Sequence, residues 1–408
     1  MTSPAPTSFA DPFPWPRGPF HPSEVYGWLR EEQPVVRVDT RHGRPVWLVT
    51  RYDDVRAVLS DPRVSSDAHQ PGFPQLGPTP EAREGERLFL RMDAPEHTVF
   101  RRLLSRNFMV KRVEAMRPRI QQLVDDTLTT MLASPTRSAD LVQALALPVP
   151  STVLSWILGV RAEDREFFNK ATEELLGGST PEDLAAQERA QAAYVTLHGY
   201  IEQLVAEKEA LADPGDDILG QLVTASRAGS ITHADIVSSG FLLIVAGHDT
   251  TASMTGTGTL TLLQHPDQLA ELRAAPELIP AAVEELLRYL TVVHLIVLRV
   301  ATEDIEVGGV TIPAGEGIVP LNISANRDDA HYPDADRFDI HRAARDHFAF
   351  GFGMHQCLGQ PLARVELQVI FETLLRRVPT LRLAVPVDEV PFKLWSPING
   401  VASLPVTW

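Results

Sequence analysis

The chain has 408 residues, of which 44% are hydrophobic and 22% charged, the composition of a globular protein with a large buried core. Its formal net charge of −16 argues against a general nucleic-acid-binding protein. No basic and apolar signal opens the chain, and its most apolar helical stretch, Phe241 to Ala246, is too short to cross a membrane. A single cysteine excludes an internal disulfide and fits the cytosol. With neither a signal nor a spanning stretch, we expect a cytoplasmic protein without a membrane anchor.

Apolar residues at helical spacing predict that most of the chain is α-helical. A proline-rich arm at 1–22 precedes two predicted hairpins, one at 34–50 and one at 304–312 around Gly308-Gly309. The predicted helices cover residues 53–60, 97–108, 114–133, 140–158, 186–211, 235–265, 267–274, 277–290 and 361–377. Length alone allows two or three domains of ~150 residues. Because no linker interrupts the chain, we instead expect residues 1–408 to form a single, mainly α domain with a small β region.

Neither regular strand–helix alternation nor a G-x-G-x-x-G motif is present, which argues against a dinucleotide-binding domain.

The only cysteine is surrounded by glycines. Gly351, Gly353 and Gly359 allow the positive φ and close backbone approach that a loop wrapped around the Cys357 sulfur needs. The helix that Pro361 opens points its N-terminal amides toward the cysteine, and both this partial charge and a metal favour the thiolate. A lone cysteine is more often an inert buried side chain, but these surroundings favour a ligand. Without a second cysteine or a nearby histidine pair, a zinc or iron–sulfur site is poorly supported.

This segment resembles the haem-binding signature of the cytochrome P-450 family, F-x-x-G-x-x-x-C-x-G, which Phe350, Gly353, Cys357 and Gly359 match in full. The resemblance implies the fold of that family, with a long central helix over the haem and a cysteine-ligand loop beneath it. It also implies haem b as the cofactor and Cys357 as the axial ligand of the iron, whose thiolate assists O–O cleavage. Phe350 and Gly351 would pack beside the ligand loop.

A second motif, Ala246–Thr251, interrupts an apolar helix with polar residues. Threonines in helices usually bond to the carbonyl four residues earlier, but a buried polar cluster costs stability unless its groups are paired. The segment resembles the oxygen-activation motif of the same family. The resemblance implies that Ala246 and Gly247 open a groove beside the iron, and that Asp249 and Thr250 relay protons through a short water chain.

Two further sets of residues match the family. Glu285 and Arg288 form an i, i+3 pair that is common on any solvated helix. In the family this pair joins an arginine of the following coil in a buried structural triad, and Arg337 is the expected third member. The haem propionates need basic partners, although each candidate alone could be an ordinary surface charge. The residues that match propionate-binding positions are His97, Arg101, Arg299 and His355.

The segments that line the family's pocket are apolar here, so we expect a lipophilic small-molecule substrate. They include the chain near 175–185. Residues 292–298 fit a core strand equally well, and His294 fits either a substrate contact or, more commonly, a buried histidine with its own partners. The candidate pocket residues are Phe89, Leu90, Leu243, Val293, His294, Leu295, Ile296, Val297 and Ile398.

The motifs together predict a monooxygenase that hydroxylates or epoxidises a lipophilic molecule, with dioxygen as co-substrate and ferredoxin with an NAD(P)H-dependent reductase as electron source. The resemblance is greatest to soluble bacterial members that hydroxylate antibiotics, steroids and foreign compounds, which fits either secondary metabolism or detoxification. One alternative is a haem-thiolate peroxygenase, dehydratase or isomerase, but such relatives typically lack the acid–alcohol pair. Another is a non-catalytic haem sensor, which needs a signalling or DNA-binding element. We expect a monomer that binds no nucleic acid.

The segment Arg91–Ile120 is basic although the whole chain is acidic. It fits either a solvated helix face or a docking surface for an acidic ferredoxin. The arginines expected to face that partner, on the side of Cys357, are Arg102, Arg106 and Arg112.

Overall fold

The structure is a computed structural model that describes residues 6–15, 17–18, 20–77, 87–176, 183–393 and 396–408. Outside the described residues lie 1–5, 16 and 19 of the predicted arm and 177–182 of the predicted pocket segment. The described part of the arm buries Phe13 and Trp15, which are 0% and 4% exposed. The described part of the arm is therefore anchored by its aromatic residues.

Helices form most of the regular structure. They are α1 (Glu24–Glu32), α2 (Tyr52–Ser60), α3 (Glu96–Ser105), α4 (Val110–Leu132), α5 (Pro148–Leu158), α6 (Arg165–Leu176), α7 (Leu184–Ala210), α8 (Ile218–Arg227), α9 (His233–Leu263), α10 (Pro266–Ala274), α11 (Ile279–Leu290), α12 (Asn322–Ala325) and α13 (Gln360–Arg377). The strands are β1 (Val35–Val38), β2 (Val46–Val49), β3 (Val64–Ser65), β4 (Ser138–Asp140), β5 (Arg299–Ala301), β6 (Ile305–Val307), β7 (Val310–Ile312), β8 (Gly317–Pro320), β9 (Arg382–Leu383) and β10 (Pro405–Thr407).

The chain divides into two compact units. The first consists of Met1–Thr98 and Glu284–Cys357, and the second of Val99–Val283 and Leu358–Trp408.

The first unit contains a five-stranded sheet in the order β1-β2-β8-β5-β3. Both predicted hairpins are confirmed, since β1 pairs with β2 and β6 with β7, each in antiparallel register. Gly308 and Gly309 have φ of 57° and 79°, and two successive positive φ values are what a two-residue hairpin turn of this kind needs. Apolar residues of the sheet, α1 and α2 supply the buried cores of this unit.

The second unit is built around α9. Helices α5, α7, α8 and α13 all pack against it, and α13 also packs against α4. Helix α9 begins with a capping box. The Asp235 backbone N–H donates to the Thr232 hydroxyl at 3.2 Å, and the Thr232 backbone N–H donates to the Asp235 carboxylate at 2.9 Å. A three-stranded sheet, β4-β10-β9, completes the unit. The long predicted helix at 235–265 is thus confirmed, with most of its side chains buried.

One predicted helix and one of the two interpretations of residues 292–298 differ from the structure. The predicted helix at 140–158 is divided into β4, a π-helical turn at Val142–Ala146 and α5. Pro148 explains the division, because proline has no N–H to continue the preceding turn and opens α5 instead. Residues 292–298 form no strand, and regular pairing begins only at Arg299 in β5. In the described part of the chain, no helix combines the length and the apolar character needed to cross a membrane.

Candidate active site

Cys357 ends a tightly folded loop in the first unit. Its backbone N–H donates to the carbonyl of Phe350 at 2.8 Å and closes the loop. Gly351 and Gly353 have φ of 68° and 73°, in the region that favours glycine. A Cβ on Gly353 would lie 2.4 Å from the carbonyl oxygen of Leu59. The loop therefore requires these glycines, and Cys357 remains exposed, as access to a metal demands.

Buried polar residues of the same unit hold this loop. The Nδ1 atom of His347 accepts from the Ala349 backbone at 3.2 Å, and its Nε2 atom lies 3.3 Å from the Glu284 carboxylate. The Phe348 backbone N–H donates to the Asn326 side chain at 2.7 Å. Sequence reasoning missed these contacts, although His347 stands ten residues before the cysteine in a segment rich in aromatic residues.

Two of the predicted propionate partners meet in the first unit. The ring centroids of His97 and His355 are 4.1 Å apart, and His97 is 3% exposed. Arg101 follows one turn later along α3 and is half-buried. Because imidazoles can donate hydrogen bonds, the histidine pair offers donors of the kind that a carboxylate accepts.

Arg299 is the third predicted propionate partner in this unit, and it is 5% exposed. Its pKa is lowered to about 10, mainly by burial and also by the nearby Arg91, while Asp93 acts in the opposite direction. Arg91 is itself 8% exposed and donates to the Ile296 carbonyl at 3.1 Å. Two buried guanidiniums that repel each other are stabilised by a nearby anion, so this pair fits a haem propionate. Sequence reasoning missed Arg91, although it is a charged residue within an apolar run.

The polar segment of α9 lies in the second unit. The hydroxyl of Thr250 donates to the carbonyl of Ala246 at 2.7 Å. Asp249 and His248 are 3% and 2% exposed, and burial lowers the pKa of His248 to about 4, with Asp249 opposing the shift. A Cβ on Gly247 would approach Leu154 to 2.8 Å, so α5 packs closely on the helix at this point. The buried acid Asp249 and the alcohol Thr250 are adjacent residues of α9.

Asp249 has a partner that sequence reasoning missed. The Nζ atom of Lys393 lies 2.5 Å from Oδ1 of Asp249, and the two side chains are 10% and 4% exposed. The only sequence signal is a lysine placed among apolar residues near the C-terminus. A buried carboxylate is stable when such a partner compensates its charge.

The candidate pocket residues fall into two groups. Phe89, Leu243 and Ile398 are buried, at 9%, 8% and 2% exposure. The half-buried residues are Leu90, Val293, His294, Leu295, Ile296 and Val297.

The half-buried His294 has one ring nitrogen to spare, although its ring also forms a hydrogen bond with the backbone of Val292. Among the residues that the structure describes, its Nδ1 atom has no hydrogen-bond partner. Its pKa is lowered to about 3, mainly by burial and also by Arg17, while the bond to Val292 acts in the opposite direction, so the ring is neutral at physiological pH. A neutral imidazole with an unused nitrogen can bind a polar group of a ligand.

Of the predicted structural triad, Arg288 and Glu285 contact each other, whereas the Arg337 side chain lies outside the pair. Arg288 and Glu285 form a two-pronged pair at 2.7 and 2.8 Å, with both side chains 0% exposed. The Arg337 guanidinium is 66% exposed and pairs with Asp339, so only its backbone carbonyl reaches Arg288, at 3.3 Å. Arg342 instead approaches Glu285, at 3.2 Å. Sequence spacing alone does not determine which of two arginines in the same coil contacts Glu285.

Comparisons with known proteins give the class of fold first. The structure resembles the crystal structure of GfsF with a TM-score of 0.90 and 46% sequence identity, over 98% of this chain and 100% of that chain. In sequence, the chain is 51% identical over 397 residues to cytochrome P-450-SU2 of Streptomyces griseolus, which covers 96% of this chain and 95% of the relative. It is 46% identical over 413 residues to pentalenic acid synthase of Streptomyces avermitilis, which covers 100% of both. The model of the cytochrome P-450 family matches residues 6–389.

The chain belongs to the cytochrome P-450 family. It is therefore an oxidoreductase of the monooxygenase class, and its cofactor is haem b. The exposed thiol on a closed glycine loop and the buried arginine pair both fit that cofactor.

Proposed function

We propose that this chain transfers one oxygen atom of dioxygen to a lipophilic small molecule, with electrons delivered by a ferredoxin. The reaction consumes two electrons and two protons, forms a C–O bond in the substrate and releases the second oxygen atom as water. The observation that carries the proposal is the buried Asp249 beside Thr250 on α9, since haem enzymes that need no external electrons typically lack such a pair.

For the haem we propose Cys357 as the axial ligand of the iron. Phe350, Gly351 and Gly359 shape the loop that presents its sulfur. When bound, the haem activates dioxygen, and the thiolate donates electron density to the iron. The residues proposed to hold the propionates are His97, Arg101, Arg299 and His355, to which we add Arg91.

On α9 we propose that Ala246 and Gly247 make room beside the cofactor and that Asp249 and Thr250 handle protons. A carboxylate and a hydroxyl that share a short water chain can move protons to a buried site without opening it to bulk solvent. The burial of Asp249 supports this role, because it keeps an acid that is paired with Lys393 away from bulk solvent.

The proposed substrate is largely apolar with one polar group. Apolar residues at 293 and 295–297 are half-buried, as the lining of a small-molecule site is, and the remaining candidates are also apolar. The unused Nδ1 atom of His294 gives this lining one polar contact for a hydroxyl or amide of the substrate. One relative reported above is named for the synthesis of pentalenic acid.

The ferredoxin is proposed to dock on the basic segment of α3 and α4. Arg102, Lys111 and Arg112 are exposed there, and two apolar residues between them, Met109 and Val110, are 58% and 64% exposed. Exposed apolar residues within a charged rim are typical of a protein–protein contact.

Turnover of a lipophilic compound library tests the proposal. The protein is incubated with ferredoxin, ferredoxin reductase, NADPH and isotopically labelled dioxygen, and the products are read by mass spectrometry. We expect products heavier by one labelled oxygen atom, formed only when every component is present. Products that take their oxygen from water, or that form without the electron donors, would contradict the monooxygenase proposal and favour the isomerase or peroxygenase.

The Cys357→Ser variant tests the ligand. We expect it to fold and to lose both monooxygenation and the red-shifted Soret band of the reduced carbon monoxide complex. If the variant kept that band, Cys357 would not be the ligand.

A further inference from the structure

Lys393 belongs to a hairpin whose backbone is fixed on both sides. The Lys393 N–H donates to the Gly400 carbonyl at 2.8 Å, and the Ala402 N–H donates to the Pro391 carbonyl at 2.8 Å. Phe392 and Val401 form an antiparallel bridge between the two arms. These contacts fix the backbone of Lys393 independently of any contact with α9.

The hairpin packs on one face of α9. A Cβ on Gly400 would lie 2.5 Å from the Ser253 hydroxyl, and one on Gly256 would lie 2.7 Å from Val401. Positions 249, 253 and 256 share a helical face, because their spacing is i, i+4 and i+7. Asp249 therefore lies at the end of a covered stripe, and Lys393 reaches it from the hairpin that covers that stripe.

The two oxygens of the Asp249 carboxylate have different surroundings. Oδ1 of Asp249 receives the lysine ammonium at 2.5 Å, whereas Oδ2 is buried and has no hydrogen-bond partner among the described residues. A buried acceptor without a partner costs about 1–3 kcal/mol, so the arrangement favours a water or another donor at Oδ2. The lysine thereby determines which oxygen is available and in which direction it points.

We propose that Lys393 is a positioning residue for oxygen activation, which holds Asp249 by Oδ1 so that Oδ2 carries protons to the reaction. The inference rests on the proposed monooxygenase function, since it requires that Asp249 handles protons. It adds a residue of the C-terminal hairpin to the machinery of α9. The lysine acts only through the carboxylate and requires no contact with substrate or cofactor.

The first test replaces the ammonium without removing the bulk of the side chain, in Lys393→Met. General acid–base groups contribute roughly 10²–10⁴-fold, so we expect product per NADPH to fall on the order of tenfold when the acid is misaligned. Peroxide formation should rise to balance the electrons, and the solvent isotope effect on turnover should increase because proton transfer becomes slower. Lys393→Arg keeps the charge and should restore most of the coupling.

Two controls separate positioning from folding. Lys208 forms a comparable partly buried pair with Asp217 at 2.7 Å, so Lys208→Met removes an ion pair of the same kind from α7. We expect that variant to keep wild-type coupling and isotope effect, even if its thermal midpoint falls. Haem content and substrate affinity are measured for every variant, so that a folding defect is recognised.

A double-substitution cycle completes the test. In an Asp249→Asn background, Lys393→Met should have little further effect on coupling or on the isotope effect, because the residue through which it acts is already changed. Equal losses in both backgrounds, or an unchanged isotope effect in the single variant, would overturn the inference. If Lys393→Met does not fold, the same criteria apply to Lys393→Gln. Absence of monooxygenation by the wild-type protein contradicts the proposed function itself, and the two failures are therefore distinguishable.

Discussion

Thr250 illustrates how one hydrogen bond constrains a chemical role. Its hydroxyl proton is committed to the Ala246 carbonyl at 2.7 Å, as is common for threonines in helices. The hydroxyl oxygen keeps its lone pairs, so in this geometry it can accept a hydrogen bond from a water but does not donate one outward. The side chain is therefore suited to hold a proton-bearing partner in place, and the neighbouring Asp249 is the group with negative charge.

Removing the Thr250 hydroxyl should lower the fraction of the consumed electrons that is used to form product. We expect Thr250→Ala to bind substrate and haem normally while product per NAD(P)H falls and hydrogen peroxide rises. Thr250→Ser retains the hydroxyl and should remain close to the wild type. The measurements are NADPH consumption, product yield and peroxide yield with several good substrates. Unchanged coupling in Thr250→Ala, or a loss of haem, would count against the proposed role.

The coil after α12 contains a second instructive case. Arg342 donates to the Pro333, Asp334 and Arg337 carbonyls at 2.5, 3.0 and 3.1 Å in addition to its contact with Glu285. Arg337 makes only an exposed pair with its side chain. Exposed pairs contribute little, whereas a partly buried guanidinium that satisfies several carbonyls contributes more.

We therefore expect the two arginines to differ sharply on substitution. Arg342→Ala should lower the free energy of unfolding by about 2 kcal/mol and promote haem loss on heating. Arg337→Ala should change it by less than about 1 kcal/mol. Thermal unfolding followed at the haem absorption band compares them directly. Equal destabilisation by both substitutions would mean that Arg337 does serve as the third member of the triad.

Helix α13 carries a buried acid that the proposed reaction does not use. Glu366 is 3% exposed, and burial raises its pKa to about 8 from an ordinary value of 4.5. Between these two pH values the folded chain binds a proton that the unfolded chain has released. The contribution of Glu366 to the free energy of unfolding is thus most favourable below about pH 4.5 and declines as the pH rises toward about 8.

Glu366→Gln should reduce the loss of stability that accompanies rising pH. We expect the variant to gain stability relative to the wild type at pH 8, on the order of a few kcal/mol, and little or nothing at pH 5. Glu372→Gln, an exposed position on the same helix, is the matched control and should show no such dependence. Denaturant unfolding at the two pH values gives the answer. Parallel pH profiles for the wild type and Glu366→Gln would show that the carboxyl ionises normally.

The helices and hairpins were largely predictable because local sequence determines them. The periodicity at 53–60 predicted α2 within one residue, and Gly308-Gly309 fixed the turn of the second hairpin. Helices α1, α6, α8 and α12 were missed. The division of 140–158 was also missed, because the apolar spacing continues across Pro148 although the backbone bonding does not.

Side-chain pairing was less predictable than the elements. The Lys393–Asp249 pair joins residues 144 positions apart, and the contact of Arg342 with Glu285 spans 57 positions. Such pairs depend on tertiary packing, which no local spacing records. The cysteine loop was predictable since its constraints, positive φ at glycines and one sulfur, are local.

The charge of the molecule is unevenly distributed in a way that bears on its electron source. With a net charge of −16, the chain as a whole repels an acidic ferredoxin, so approach requires a local positive surface. On α3 and α4, Arg102 and Arg112 are exposed, and Arg117 is paired with Glu114. Arg106 donates to the Gln221 side chain at 2.8 Å, so its position is fixed without loss of its charge.

Arg102→Glu combined with Arg112→Glu should slow reduction by ferredoxin on the order of tenfold at low salt, because steering depends on the local field. The rate should also become less sensitive to salt, as the attraction that salt screens is removed. Arg106 is left unchanged since its substitution would also break the bond to Gln221. Stopped-flow reduction at several ionic strengths measures both effects.

The matched control is Arg189→Glu with Arg382→Glu, two exposed positions elsewhere in the second unit that change the net charge equally. We expect this control to slow reduction only slightly and to keep the salt dependence of the wild type, because net charge acts weakly at a distance beyond the Debye length. Substrate affinity and peroxide-supported turnover should be the same in both double variants, since neither alters the proposed pocket. If the two variants slow reduction to the same extent, the basic segment is a solvated helix face and the ferredoxin docks elsewhere.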